Sequence, residues 1–232
     1  MTNSESAVLA LGSNGLPKTI ADRTRRIYDR LALIYPLSTY LFHSRAHQCA
    51  LEAAGVRDGM RVLEVATGSG EMFRRVVRAN PGGATIGVDL SPNMAHRTQC
   101  RIRREFPNSV TLCQAVDARF MPFRDNSFDV VFCCYLLELL GAEDIFKALS
   151  EIRRVLRPLG KIALVCIGQD TRIFNRLYKI AGGIAPAFWG RQVAHHVPSL
   201  IEASQFRVIQ DKAVRQSFYP SRVLVATKVA SA

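Results

Sequence analysis

The stretch VLEVATGSGEM, residues 62–72, decides the fold. A short apolar run leads into two closely spaced glycines, Gly68 and Gly70, and then into a helical segment. An open parallel sheet presents its ligand loop in this way, because glycine lets the chain turn tightly and lets a ligand approach the backbone. A dinucleotide loop asks for G-x-G-x-x-G with phosphate at the helix N-terminus. Here Phe73 stands at the third glycine position. Glu64 precedes the turn and Glu71 follows it; Glu71 repels a pyrophosphate, although it suits the helix dipole. The acidic flanks point to a ligand without phosphates that carries positive charge.

Outward from this loop, short Val/Ile-rich blocks recur at 60–65, 84–90, 110–116, 128–134 and 161–167. Helical segments separate the first three and the last two, whereas the crossing between the third and fourth is too short for a long helix. This alternation predicts an α/β fold, a doubly wound sheet with helices on both faces. Ser91-Pro92 fits an N-cap with proline at the first helical position. NPGG (80–83) and RPLG (157–160) stop helices before the next strand. Two late blocks, FRVIQ and SRVLVATK, are joined closely enough to be antiparallel neighbours. Near the N-terminus Ile20, Ile27, Leu31 and Ile34 are spaced for one helix, and HQCALEAAGV reads as a second, closed by Gly55. The expected organisation is a mobile tail over 1–19, N-terminal helices or a lid over 20–55, and one catalytic-size domain over 56–232 with a helical insert at about 170–200.

Two further carboxylates join the loop. Asp89 ends the second strand about 20 residues beyond it, where doubly wound nucleotide folds place an acceptor for ribose hydroxyls; a capping or turn role is the alternative. Asp117-Ala118 follows the third strand, where an acid can accept a bond from an exocyclic amine. Met94 is placed to lie against the ring or simply to fill core. Together these residues describe a nucleoside without phosphates and with a cationic substituent, and S-adenosylmethionine fits.

At this point the chain resembles the class I S-adenosylmethionine-dependent methyltransferases. The resemblance rests on VLEVATGSGEM, IGVDLSPNM, DARFMPFRDNSFDVVFCCYLLELL and EIRRVLRPLGKIALV, four motifs in order across roughly half the chain. It implies a Rossmann-like, seven-stranded, mostly parallel sheet whose last strand is antiparallel. It also implies that Glu64, Ala66, Thr67, Gly68 and Gly70 hold the amino-acid part of the cofactor. Asp89 and Leu90 would take the ribose, Met94, Asp117 and Ala118 the adenine, and Cys134 and Tyr135 the methionine side. Ala66-Thr67 departs from the usual Gly or Cys, yet Ala66 is small enough to leave room.

The acceptor must be read from other segments. IYDRLALIYP and DARFMPFRDNSFDVV resemble the quinone-biosynthesis C-methyltransferases and the bacterial phospholipid N-methyltransferases. That likeness implies a hydrophobic or lipid acceptor, either a quinone ring or a phospholipid amine. Residues 170–190 place Ile173, Phe174, Leu177, Ile180 and Ala181 on one helical face and Arg172, Arg176 and Lys179 on another. Such a helix can lie on an anionic membrane or pack its apolar face on the sheet. Arg97, Arg101 and Arg104 form a second basic stripe, read as a solvated face or a docking surface. Tyr28, Tyr35, His195 and His196 are the acceptor-side candidates for catalysis, with His43, His47 and Glu138 as further polar groups.

The net charge of +12 admits anionic partners, nucleic acid included. However, Cys133-Cys134-Tyr135-Leu136 lacks the proline-containing turn of exocyclic base-amine methyltransferases, and no RNA-binding module is recognisable. A soluble metabolite and a binding protein without catalysis remain as alternatives. The six cysteines form no C-x-x-C pair, so reduced thiols are expected and no metal site. The N-terminal segment does not read as a secretory signal, and no apolar run is long enough to span a bilayer; the expectation is a cytoplasmic chain, peripheral at the inner membrane face. No sequence feature specifies an oligomeric state.

Overall fold

A computed structural model describes residues 35–168, 196–216 and 220–229, with side chains from residue 44 onward. Helix α1 (Tyr35–Ala54) leads into β1 (Arg61–Val65), α2 (Glu71–Ala79), β2 (Ala84–Asp89), α3 (Pro92–Glu105) and β3 (Val110–Ala115). Then come β4 (Phe128–Cys134), a 3-10 turn (Leu137–Leu139), α4 (Ala142–Val155), β5 (Leu156–Ile167), α5 (Val197–Ala203), β6 (Phe206–Val214) and β7 (Ser221–Lys228). The seven strands form one sheet in the order β3-β2-β1-β4-β5-β7-β6. Strand β7 runs antiparallel between β5 and β6, and the other pairings are parallel. This is the expected class I topology.

The period-2 pattern of the strands builds both core layers. Leu63, Val65, Val131, Ile162, Leu164 and Leu224 pack on one face with Ile145, Leu149 and Ile152 of α4 and Val197 and Ile201 of α5. Alternate residues, among them Val62, Phe132, Val165 and Val225, pack on the other face with α1 and α2. Helix α1 meets the sheet through Ala46, Ala50 and Ala54, which lets its backbone approach closely. Each fully buried large side chain contributes about 1.5–3 kcal/mol, so the central strands anchor whatever loops they carry. The edge strand β3 exposes Val110 and Leu112.

The boundaries differ from expectation in two places. The second N-terminal helix begins at Tyr35, well before HQCALEAAGV, with Pro36 in its first turn, where a missing N–H does no harm. RPLG does follow the end of α4, but it lies within β5. There Leu159 has φ 62 and the β4–β5 register shifts, so a bulge precedes the regular pairing from Lys161 onward. Ser91 caps α3 as expected: its Oγ accepts the Met94 N–H at 3.2 Å.

Candidate active site

The strand order reverses direction between β1 and β4, the point where open α/β sheets bind ligands beyond their carboxyl ends. The 66–70 loop emerges there. Its first two amides, of Ala66 and Thr67, donate to Val88 O at 2.8 and 3.1 Å, which holds the loop against β2. Gly70 N donates to Thr67 O at 2.8 Å and closes the turn into α2.

The two glycines do different work. Both adopt the left-handed region, Gly68 at φ 50 and Gly70 at φ 75. A Cβ on Gly70 would lie 2.7 Å from the Thr98 side chain, so this glycine is demanded by packing against α3. Among the described residues a Cβ on Gly68 would meet nothing within 4 Å, so Gly68 faces space that a ligand can enter. Gly87 keeps Thr67 in place from below, where a methyl group would lie 2.6 Å from the threonine side chain.

Asp89 ties the loop to β2. Its Oδ2 accepts the Gly68 N–H at 2.7 Å and its Oδ1 accepts the Ser91 N–H at 2.9 Å. A carboxylate has about four lone-pair sites, so its chemistry allows it to accept from more than these two amides. Val116 N donates to Asp89 O at 2.9 Å, and this brings Asp117-Ala118 beside the end of β2. Leu90 is half-buried next to it, and Met94 is buried in the first turn of α3.

The Asp117 carboxylate is already engaged. Arg119 pairs with it at 2.6 Å and with Asp144 at 2.9 Å. Partial burial opposes ionisation of Asp117, but the Arg119 guanidinium and N–H hold its carboxyl below the usual range. An adenine amine would share this acceptor with Arg119.

Glu64 and Glu71 flank the loop but differ in environment. Glu64 is 1% exposed, and among the described residues its Oε2 has no hydrogen-bond partner. Burial, with the nearby charges of Asp89 and Glu71, pushes its pKa well up. An uncompensated buried carboxyl of this kind calls for a cation. Glu71 is enclosed by arginines: Arg101 at 3.2 Å, Arg75 at 3.6 Å and Arg74 at 3.9 Å. Its charge is answered within the protein, so the ligand-directed acid at this loop is Glu64. Arg101 also donates to Ser69 O at 3.4 Å. One member of the basic stripe on α3 therefore braces the loop, while Arg97 and Arg104 are exposed.

Beyond β4, Tyr135 adopts φ 56, as Ala66 does at φ 63 beyond β1. Left-handed non-glycine residues cluster at functional sites, and these two stand on either side of the switch point. The Tyr135 N–H donates to Val165 O at 2.7 Å. Its hydroxyl shares a hydrogen bond with Ser221 Oγ at 2.8 Å and accepts from Gln216 Nε2 at 3.4 Å. Gln216 Oε1 in turn accepts the Ala46 N–H of α1 at 3.2 Å. This chain links β4, β7 and α1 across the carboxyl ends of the strands. No local pattern announces it, because Tyr135 stands 81 and 86 residues from Gln216 and Ser221, and Ala46 stands 170 from Gln216. Cys134, half-buried, lies just before Tyr135, and burial pushes its thiol well up.

The acceptor-side candidates are not brought together among the described residues. Tyr28 and His195 lie outside the described residues, as does the amphipathic segment 170–190. Tyr35 opens α1, and its side chain is also outside them. His196 is exposed at the start of α5, which packs on β6 toward the far edge of the sheet. His47, by contrast, is buried on α1 with its ring centroid 6.0 Å from that of Tyr135.

The set fits S-adenosylmethionine. Among the described residues, Glu64 is a buried carboxyl without a cation beside it and Gly68 opens onto free space, while Asp89 sets a carboxylate at the end of β2 beside the loop. A family model described as a methyltransferase domain matches residues 62–160. The 2-phytyl-1,4-naphtoquinone methyltransferase of Trichormus variabilis is 29% identical over 168 residues, which cover 68% of this chain and 72% of that protein. The ubiquinone/menaquinone biosynthesis C-methyltransferase UbiE of Cupriavidus necator is 28% identical over 185 residues, 77% of this chain and 74% of that protein. Among solved structures, magnesium protoporphyrin IX methyltransferase of Synechocystis PCC 6803, with bound SAH, superposes with a TM-score of 0.70 at 17% identity. That match covers 90% of this chain and 99% of the other. At this identity the likeness speaks to the fold.

Proposed function

Since the chain is a class I S-adenosylmethionine-dependent methyltransferase, we propose that it methylates a ring carbon of a hydrophobic quinol. The observation that carries this reading is the pair of quinone methyltransferases to which 68% and 77% of the chain is similar. A phospholipid amine is the competing acceptor, and no feature of the described residues favours it.

Bound at the loop, S-adenosylmethionine supplies an electrophilic methyl group, with the bonding pair remaining on its sulfur. The residues around it bind and orient. Glu64 meets the cationic amino-acid end, and the Gly68 backbone admits close approach. Asp89 accepts from the ribose hydroxyls, and Asp117-Ala118 with Met94 border the adenine. Tyr135, fixed by Ser221 and Gln216, sets the wall on the methionine side. Alignment and exclusion of water account for much of the rate of such a displacement.

The chain is read as a cytoplasmic protein that meets its acceptor at the membrane surface through the basic segment 170–190. Among the described residues no helix is long and apolar enough to cross a membrane.

The test uses methyl-labelled cofactor with three acceptors: a prenylated naphthoquinol, phosphatidylethanolamine vesicles and bulk RNA. Label in the quinol fraction, on carbon, is the expected result. Label in the lipid amine or the RNA overturns the quinol assignment. Flotation with anionic liposomes tests the membrane contact, and a chain left at the bottom of the gradient removes it.

A further inference from the structure

Beyond the carboxyl ends of β4 and β5 lies a carboxyl group that the reading above does not use. Glu138 sits in the 3-10 turn that follows β4 and is 2% exposed. Its Oε1 accepts the N–H of Ile167, the last residue of β5, at 2.6 Å. Among the described residues its Oε2 has no hydrogen-bond partner. Buried polar atoms are nearly always matched. One oxygen here is fixed to the scaffold by an amide, and the Cys166 thiol is the weak side-chain donor beside the carboxyl.

The position of Glu138 in the sheet matters as much as its burial. The cofactor loop and the strained Tyr135 frame the crevice between β1 and β4. In an in-line displacement the acceptor stands on the far side of the methyl group from the sulfur. The ground next to that crevice, beyond β4, is the end of β4 and β5, where Glu138 lies. Among the described residues, the titratable groups around it are Cys133 and Cys134 of β4, Tyr135, and Cys166 of β5. Burial pushes each of them up, so they stay neutral. The cation beyond Cys166, Arg222 of β7, is paired with Asp211 at 2.5 Å.

We propose that Glu138 is the general base that takes the proton the acceptor must lose, an inference that rests on the quinol reading. The ring carbon forms a bond to the methyl carbon with a pair of ring electrons. The C–H bond at that carbon then breaks, its pair returns to the ring, and the proton passes to Glu138 Oε2. Later loss of that proton to solvent restores the carboxylate. Burial raises the Glu138 pKa to about 7 against the pull of the Ile167 N–H and of the Cys166 thiol, within the working range of such a base.

The variant E138Q keeps an oxygen for the Ile167 N–H and removes the base. Three measurements on the full chain decide the matter: kcat against pH with the prenylated naphthoquinol, calorimetric binding of S-adenosylhomocysteine, and a carbon-13 titration of the glutamate carboxyls. The expected loss in kcat is about 10²–10⁴-fold, with S-adenosylhomocysteine binding unchanged. The wild-type profile should bend near pH 7 and that of E138Q should not, and the resonance missing from E138Q should titrate near 7. An unchanged kcat, a bend that survives in E138Q, or a parallel loss of S-adenosylhomocysteine binding overturns the role. If the wild type methylates no quinol, the acceptor reading has failed by itself and the titration decides for Glu138. A midpoint at the ordinary glutamate value of about 4.3 then overturns the role, and one near 7 retains it.

Discussion

The carboxylate of Asp89 accepts the backbone N–H of Gly68 at 2.7 Å, across 21 residues of sequence. The residue proposed to take the ribose is thus also the residue that shapes the glycine loop. Replacing it should damage both at once. An amide turns one oxygen into a donor facing the Gly68 or Ser91 N–H, leaving a buried donor unmatched at a cost of about 1–3 kcal/mol. D89N should therefore bind S-adenosylmethionine about 10- to 100-fold more weakly, read by calorimetry. An affinity equal to the wild type would remove Asp89 from the site.

The two loop glycines should separate stability from binding. G70A forces a side chain into Thr98 and into a left-handed backbone, which together cost about 2–4 kcal/mol. Its thermal midpoint should fall, and T98A should restore part of the loss. G68A carries only the backbone term of about 1–2 kcal/mol, yet its methyl group enters the open space before the loop. It should fold and lose cofactor affinity. Equal thermal midpoints for the two variants would contradict the assignment of separate roles.

Glu64 gives cofactor binding a pH signature. Its folded pKa is raised, so the stability it contributes is present in full below the unfolded value of about 4.3 and is lost as pH rises through the folded pKa. A cationic ligand acts in the opposite sense, favouring the carboxylate and lowering that pKa. Binding should then release a proton and tighten with rising pH until the pKa of the free protein is passed. Calorimetry in two buffers of different ionisation enthalpy measures the release. E64Q should bind more weakly and release no proton, and a wild type that binds without proton release would exclude the ion pair.

The arginine cage around Glu71 should be structural. E71L leaves Arg74, Arg75 and Arg101 close together without their shared carboxylate. Removal of one partner from a buried pair costs about 3–5 kcal/mol, reduced here because Arg101 reaches solvent. The urea midpoint should drop for E71L, and E71L-R101L should recover part of the loss. A midpoint unmoved in E71L would show that the cage adds nothing.

Much of this molecule was legible in one dimension. Periodicity is local, so the Val/Ile blocks located the strands, and Ser91-Pro92 located the start of α3. Glu64, Gly68, Gly70 and Asp89 stand at strand ends, where spacing alone brings them to one rim of the sheet. The late strands declared themselves antiparallel by the short link between them. Less was legible at RPLG, where a helix stop became part of a bulged strand through pairing with β4.

The remainder depended on contacts that no spacing encodes. Glu71 read as an acid that bars phosphate from a helix start, and nothing in its spacing signalled that α3 folds Arg101 against it, 30 residues away. Gly70 read as a ligand-facing glycine until Thr98 was found against it. The positive φ of Ala66 and Tyr135 has no local cause, because neither residue favours that region, and surrounding hydrogen bonds hold it. Glu138 became a candidate base only when β5 brought the Ile167 N–H to one of its oxygens. Sequence determined which elements form and which residues reach the rim, because these follow from neighbouring residues. Tertiary structure decided which of those charges are already answered, because that depends on what distant segments bring to the same place.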